Sequence, residues 1–166
     1  MPHTRPTTDL AKEGLFNILQ SRVDFEGIKT LDLFGGTGAI SYELASRGAQ
    51  DLTIVEKDNK MAAFIKKTAG DLGLKNFRLV RSDVFQFIQS CHEKFDFIFA
   101  GPPYALTTID ELPKLIFENT LLHEGGWFVL EHTPRNNYQT YSNFIREKNY
   151  GTTVFSIFEH SAKNAL

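Results

Sequence analysis

The chain has 166 residues, 42% of them apolar and 23% charged, and a formal charge of −2. That length suits one domain with a sizeable core. The charge balance excludes a chain-wide basic footprint for nucleic acid, so any RNA contact must come from a local patch. Cys91 is the only cysteine, which excludes an intrachain disulfide and favours a reducing compartment. No apolar run approaches the ~18 residues of a membrane span, and no apolar signal core follows Met1. A cytoplasmic protein is therefore expected. Fifteen Phe against one Trp and two Met point to a Phe-rich core.

Arg5 to Asp9 reads as extended chain turning into a helix. Thr7 or Thr8 caps it, and Asp9 suits its positive end. Leu10, Gly14, Leu15, Ile18 and Leu19 form the expected inner face, with Phe16 as a further inward candidate. The first strand is expected over about Lys29–Phe34 and its helix over about Ala39–Arg47, stopped by Gly48. Leu52 to Glu56 is a short β-branched second strand ending in an acid. Asp58 and Asn59 start a long helix with apolar positions Met61, Ala62, Phe64, Ile65, Ala69 and Leu72, closed by Gly73. Phe77–Arg81 is the third strand, Ser82-Asp83 a turn, and Val84–Ile88 the start of another helix.

Phe95–Ala100 is almost continuously apolar, as a central parallel strand should be. Gly101-Pro102-Pro103-Tyr104 ends it, because consecutive prolines cannot continue a sheet ladder. A helix follows over about Asp110–Asn119, with Pro113 tolerated in its first turn. Gly125-Gly126 leads into a fifth strand, Trp127–His132. The chain then closes in a hairpin with Tyr150-Gly151 as the turn and Val154, Phe155, Ile157 and Phe158 on the last strand. The alternation predicts an α/β sandwich around a mostly parallel sheet.

Leu31, Asp32, Leu33 and Phe34 run into Gly35-Gly36-Thr37-Gly38, and helical spacing resumes at Ile40. A strand, glycine turn and helix in that order make a nucleotide-binding start, because the glycines admit a close ligand. The spacing is not the dinucleotide G-x-G-x-x-G, since Ser41 stands at the last position, and no Gly-Lys-Ser/Thr marks a triphosphate cradle. Ligands of such sheets bind beyond the carboxyl ends of the strands. There Glu56 can accept both ribose hydroxyls, and Asp83 with the Val84 amide can take an adenine edge or serve as a helix cap. Lys57 can flank the adenine or remain a surface lysine. His92, His123 and His132 show no metal spacing, and His132 reads as a structural histidine. Cys91 reads as a helix-end residue.

The Asp32-Leu33-Phe34-Gly35-Gly36-Thr37-Gly38 run resembles the first motif of class I methyltransferases. Gly101-Pro102-Pro103-Tyr104 resembles their (Asn/Asp)-Pro-Pro-(Tyr/Phe) motif. Arg5-Pro6-Thr7-Thr8-Asp9, with Lys12-Glu13 and Leu15 to Leu19, is similar to the opening of the bacterial 16S rRNA guanine-N2 methyltransferases. The resemblance covers nearly the whole chain. It implies a Rossmann-like sandwich, a mostly parallel seven-stranded sheet with an antiparallel last strand. It implies one domain: an arm and helix over 1–20, a cofactor half over 28–100 and a substrate half over 101–166.

The implied cofactor is S-adenosylmethionine, held by Thr7, Asp32, Phe34, Gly35, Gly36, Thr37, Gly38, Glu56, Lys57, Asp83 and Val84. The implied reaction is methyl transfer to the N2 amine of a guanine of the guanine-966 type. Tyr104 would stack on a base drawn out of its helix. Arg5, Lys12 and Arg135 would line the RNA side. The implied partner is 16S rRNA or an assembling small ribosomal subunit, with no metal, no membrane and a monomeric protein. Family members begin with a further basic, strand-rich stretch, so this chain is expected to be a short or trimmed member.

Position 101 departs from the motif. Acceptors on a guanine amine favour its pyramidalisation and take developing positive charge, and Gly101 carries none on a side chain. The carbonyl of Pro102 and the ring of Tyr104 remain. Losing one positioned acceptor would cost about 2–4 kcal/mol of transition-state stabilisation. An altered residue, another acceptor nearby, and a cofactor-binding module with little activity are the three explanations. A methyltransferase acting on a different nucleic-acid or protein nitrogen is a further alternative.

Overall fold

The computed structural model describes residues 7–161. Seven strands form one sheet: β1 (Lys29–Leu33), β2 (Asp51–Val55), β3 (Phe77–Val80), β4 (Phe95–Ala100), β5 (Leu122–His132), β6 (Phe144–Tyr150) and β7 (Thr153–Glu159). Their order is β3-β2-β1-β4-β5-β7-β6. The pairs from β3 to β5 are all parallel, and β7 runs antiparallel to β5 and to β6. This is the mostly parallel, seven-stranded Rossmann-like sheet anticipated above, and the reversal falls at the last strand as expected.

Five helices complete the described chain: α1 (Asp9–Leu19), α2 (Ala39–Ser46), α3 (Asn59–Asp71), α4 (Val84–Ser90) and α5 (Glu111–Glu118). Only α2 to α5 are crossovers between parallel strands; α1 precedes the sheet. One core joins α1 and α2 to the face carrying Leu52, Phe97, Phe99, Val129 and Phe155. The other joins α4 and α5 to the face carrying Leu31, Leu33, Val55, Ile98 and Phe128. The core is Phe-rich, with Phe16, Phe95, Phe97, Phe128, Phe155 and Phe158 fully buried.

Several expectations need correction. In α1 the inner face is Ala11, Leu15, Phe16 and Leu19, and Leu10 is 73% exposed. Thr8 caps the helix by accepting the Ala11 amide, and Leu10 falls on the solvent face of its first turn. In α3 only Ala62, Ile65 and Ala69 are buried, while Phe64 and Leu72 stand in solvent at 49% and 55%. Small residues bring this helix close to the sheet and leave the larger ones outside. Gly125-Gly126 lies within β5, not before it, beside a register irregularity against β4. The hairpin turns at Gly151-Thr152, one residue later than expected, with Gly151 at φ 69°.

Among the described residues no helix is long and apolar enough to cross a membrane.

Phe158 meets the rings of Phe117, Phe128, Tyr138, Tyr141 and Phe144. Phe158→Ala is expected to cost about 3–5 kcal/mol in urea denaturation. Phe64→Ala is expected to fall within about 1 kcal/mol of the parent. Equal losses would contradict the assignment of inside and outside.

Candidate active site

The carboxyl ends of the parallel strands stop level with one another. Past each end a backbone amide bonds across to the neighbouring strand: Glu56 to the Val80 carbonyl at 3.0 Å, Gly35 to Val55 at 3.1 Å, and Gly101 to Leu33 at 3.3 Å. These bonds set the glycine turn, the second-strand acid and the Gly-Pro-Pro-Tyr segment along one edge of the sheet.

Phe34, expected to end the first strand, falls outside β1 and takes a left-handed conformation at φ 60°. Gly36 and Gly38 follow at φ 59° and 84°. The turn folds back on itself, as the Gly38 amide bonds the Gly35 carbonyl at 2.8 Å, and α2 then starts from Gly38. Gly35 is required by packing, because a Cβ there would collide with Ile54.

Asp32 is 2% exposed and accepts the Ser41 hydroxyl at 2.8 Å, so it braces β1 against α2. Burial, reinforced by the nearby Glu56 charge, pushes its pKa up to about 7. Glu56 is held open at the edge by two backbone donors, Gly36 at 2.9 Å and Asp58 at 3.0 Å. Asp83 is the N-cap of α4, accepting the Gln86 amide at 3.1 Å, and Val84 behind it is buried. Lys57 is exposed.

A second cluster lies at the ends of β4, β5 and β7. Glu131, 3% exposed, accepts the Thr7 hydroxyl at 2.5 Å and the Tyr104 hydroxyl at 2.9 Å. The Tyr104 oxygen is also 3.0 Å from Thr153 Oγ1. Pro102 is buried, and Pro103 and Tyr104 are half-buried. The structure thus brings Thr7 to the Gly-Pro-Pro-Tyr segment through an acid that the motif reading missed. Its signal was there: Glu131 is a carboxylate near the end of an otherwise apolar run, Trp127 to Leu130.

The RNA-side expectations fare unevenly. Lys12 pairs with Glu43 of α2 at 3.8 Å with its side chain 24% exposed, so it tethers α1 to α2. Arg135 is exposed on the loop after β5. Arg5 and Pro6 lie outside the described residues. His132 is buried, with Nδ1 2.7 Å from the Thr133 carbonyl and Nε2 2.7 Å from Ser156 Oγ, and burial lowers its pKa. It is structural, as expected, and Cys91 caps the end of α4. Among the described residues no three His, Cys, Asp or Glu side chains group as metal ligands.

The sequence profile of the family described as Conserved hypothetical protein 95 matches residues 1–159. The chain belongs to that family. It is similar to YlbH of Bacillus subtilis (strain 168), provisionally named an rRNA methyltransferase. The two are 32% identical over 94% of this chain and 88% of YlbH. It is 28% identical to Ribosomal RNA small subunit methyltransferase D of Escherichia coli (strain K12), over 98% of this chain and 82% of that protein. A solved structure of yhhF from Escherichia coli, provisionally called a methyltransferase, superposes with a TM-score of 0.85. It covers 97% of this chain and 90% of its own at 28% identity.

The raised Asp32 pKa has a consequence for stability. The folded protein keeps this proton to about pH 7, whereas the unfolded chain releases it near 3.8. Folding stability from this residue therefore falls as pH rises from about 4 to about 7. Asp32→Asn should remove that slope and gain on the order of 2–4 kcal/mol at pH 8. Denaturation at pH 5 and pH 8 checks it; an unchanged slope in the variant would contradict it.

Proposed function

We propose that this chain transfers a methyl group from S-adenosylmethionine to the exocyclic N2 amine of a guanine in 16S rRNA, of the guanine-966 type. The observation that carries the reading is the juxtaposition, on one sheet edge, of an acid-rimmed glycine turn with Gly101-Pro102-Pro103-Tyr104. The names of the two rRNA-methyltransferase relatives support it, as does the shared fold.

The residues at the turn fit that cofactor. Asp32 and Glu56 border the turn, Asp83 follows β3 beyond the neighbouring strand, and residues 34–38 carry no Lys or Arg. A phosphate would meet carboxylates there, whereas an ammonium, a sulfonium and a ribose diol meet the acceptors they need. Glu56, oriented by the Gly36 and Asp58 amides, takes the ribose hydroxyls. Thr37 and the glycine backbone border the amino-acid end, together with Thr7. Asp83 and Val84 stand at the adenine end, with Lys57 outside them. When bound, the cofactor supplies a methyl group already activated by a positively charged sulfur.

The chain's own residues then have to select, orient and deprotonate the amine. Tyr104 offers a ring for stacking and is held in place through its hydroxyl by Glu131 and Thr153. Pro102 and Pro103 fix the backbone that carries it. Holding amine and methyl in line supplies much of the rate. Arg135, exposed on the loop after β5, offers positive charge for RNA contact.

A second reading has one observation in its favour. Gly101 lacks the side-chain acceptor of the motif, which suits a cofactor-binding protein that docks RNA with little turnover.

Labelled S-adenosylmethionine offered with undermethylated small subunits, and separately with naked 16S RNA, tests the proposal. The expected product is N2-methylguanosine at a single site, identified by mass spectrometry of digested RNA. Label on adenine N6 or on protein would contradict the substrate, and cofactor binding without transfer would favour the docking reading.

A further inference from the structure

The Gly-Pro-Pro-Tyr segment is missing a carboxylate on residue 101, and the structure places one beside the gap. β4 and β5 run parallel with Phe99 opposite Val129 and Ala100 opposite Leu130. Continued by one residue, this register sets Gly101 against Glu131. Side chains alternate faces along a strand. Phe99 and Val129 share the α1 face, so a side chain at 101 and that of Glu131 share it too. Neighbouring strands stand about 4.8 Å apart, which makes these two positions direct neighbours.

The geometry bears this out in atoms. A Cβ built on Gly101 would lie 3.5 Å from Glu131 Oε1 and 3.0 Å from Cε2 of Phe99. The motif's Asp or Asn would extend its oxygen from that point, against space that the Glu131 carboxylate already borders. The longer glutamate side chain, rooted on the next strand, brings its oxygen to the neighbourhood a residue-101 acceptor would occupy. Thr7 and Tyr104 anchor Glu131 from two elements, one on each oxygen. These two anchors fix the orientation of the carboxylate beside Gly101.

We propose that Glu131 is the side-chain acceptor for the substrate amine, in place of the residue that Gly101 replaces. The proposal rests on the methyltransferase reading above. In the reaction the amine nitrogen forms its bond to the methyl carbon, and the carbon–sulfur bond breaks with its electron pair staying on sulfur. One N–H proton passes to the Glu131 carboxylate and from there to water. Glu131 is then a catalytic residue, and its bonds to Thr7 and Tyr104 couple the amino-terminal arm and the stacking ring to the same carboxylate.

The test is complementation. Single-turnover methyl transfer to undermethylated small subunits is measured for the parent, Glu131→Ala, Glu131→Gln and the double variant Gly101→Asp/Glu131→Ala. S-adenosylmethionine affinity is followed by calorimetry in each. Glu131→Ala is expected to lose on the order of a hundred- to thousandfold in rate with cofactor affinity kept within threefold. Glu131→Gln, which keeps an acceptor oxygen but cannot take up the proton, should fall between the two, at least tenfold faster than Glu131→Ala and slower than the parent. The double variant should recover at least tenfold over Glu131→Ala, a rescue that a merely structural glutamate would not permit.

Full activity in Glu131→Ala overturns the proposal, and so does a folded double variant that recovers nothing. If the double variant fails to fold, equal losses in Glu131→Ala and Glu131→Gln overturn it instead. A parent that binds cofactor but methylates nothing overturns the methyltransferase reading itself, and the role of Glu131 with it. Activity in the parent with no dependence on Glu131 overturns only the role of Glu131.

Discussion

The parallel register of β2, β1, β4 and β5 is the constraint on which the rest of the site depends. Parallel strands advance in step, so residues far apart in sequence reach one edge together: Gly35, Glu56, Gly101 and Glu131. The amides past each strand end bond to the neighbouring strand and hold this edge level. β7 then closes the sheet in the opposite direction and brings Thr153 up to Tyr104. A one-residue slip of any of these strands would turn its side chains to the other face and dismantle the site while leaving much of the burial intact.

Charge has been distributed along that edge with a purpose visible in the local chemistry. Asp32 is sunk beneath the turn with a pKa near neutrality, while Glu56 stands above it, aimed by two amides. A carboxyl buried at a cost in stability is a common mark of a functional site, and a cation arriving at this turn would recover part of that cost. The same edge offers Glu131 to whatever lies over Gly101. In both halves of the site an acid is held by hydrogen-bond donors: Glu56 by two backbone amides, and Glu131 by the hydroxyls of Thr7 and Tyr104.

Much of this was legible in the sequence. The alternation of apolar strands and helices sufficed for a mostly parallel sheet and the placement of both motifs, while the antiparallel last strand came from the family resemblance. Helix faces were less legible. In α1 Ala11 faces in and Leu10 out, and in α3 the alanines carry the packing that Phe64 was expected to provide. Gly125-Gly126 was expected to lead into the fifth strand but lies within β5, beside an irregular register against β4. Glu131 escaped because a motif is read along the chain, whereas the contact that gives this residue meaning runs across strands. Lys12 escaped for a related reason: its partner Glu43 belongs to a different helix.

Calorimetric titration with S-adenosylmethionine and S-adenosylhomocysteine, on the parent and on Glu56→Ala, bears most directly on the central claim. The account predicts saturable one-site binding of both ligands by the parent and a loss of at least tenfold in affinity in the variant, with the fold retained. A folded parent that binds neither ligand would contradict it, and the glycine turn would then be a structural bend and not a cofactor cradle.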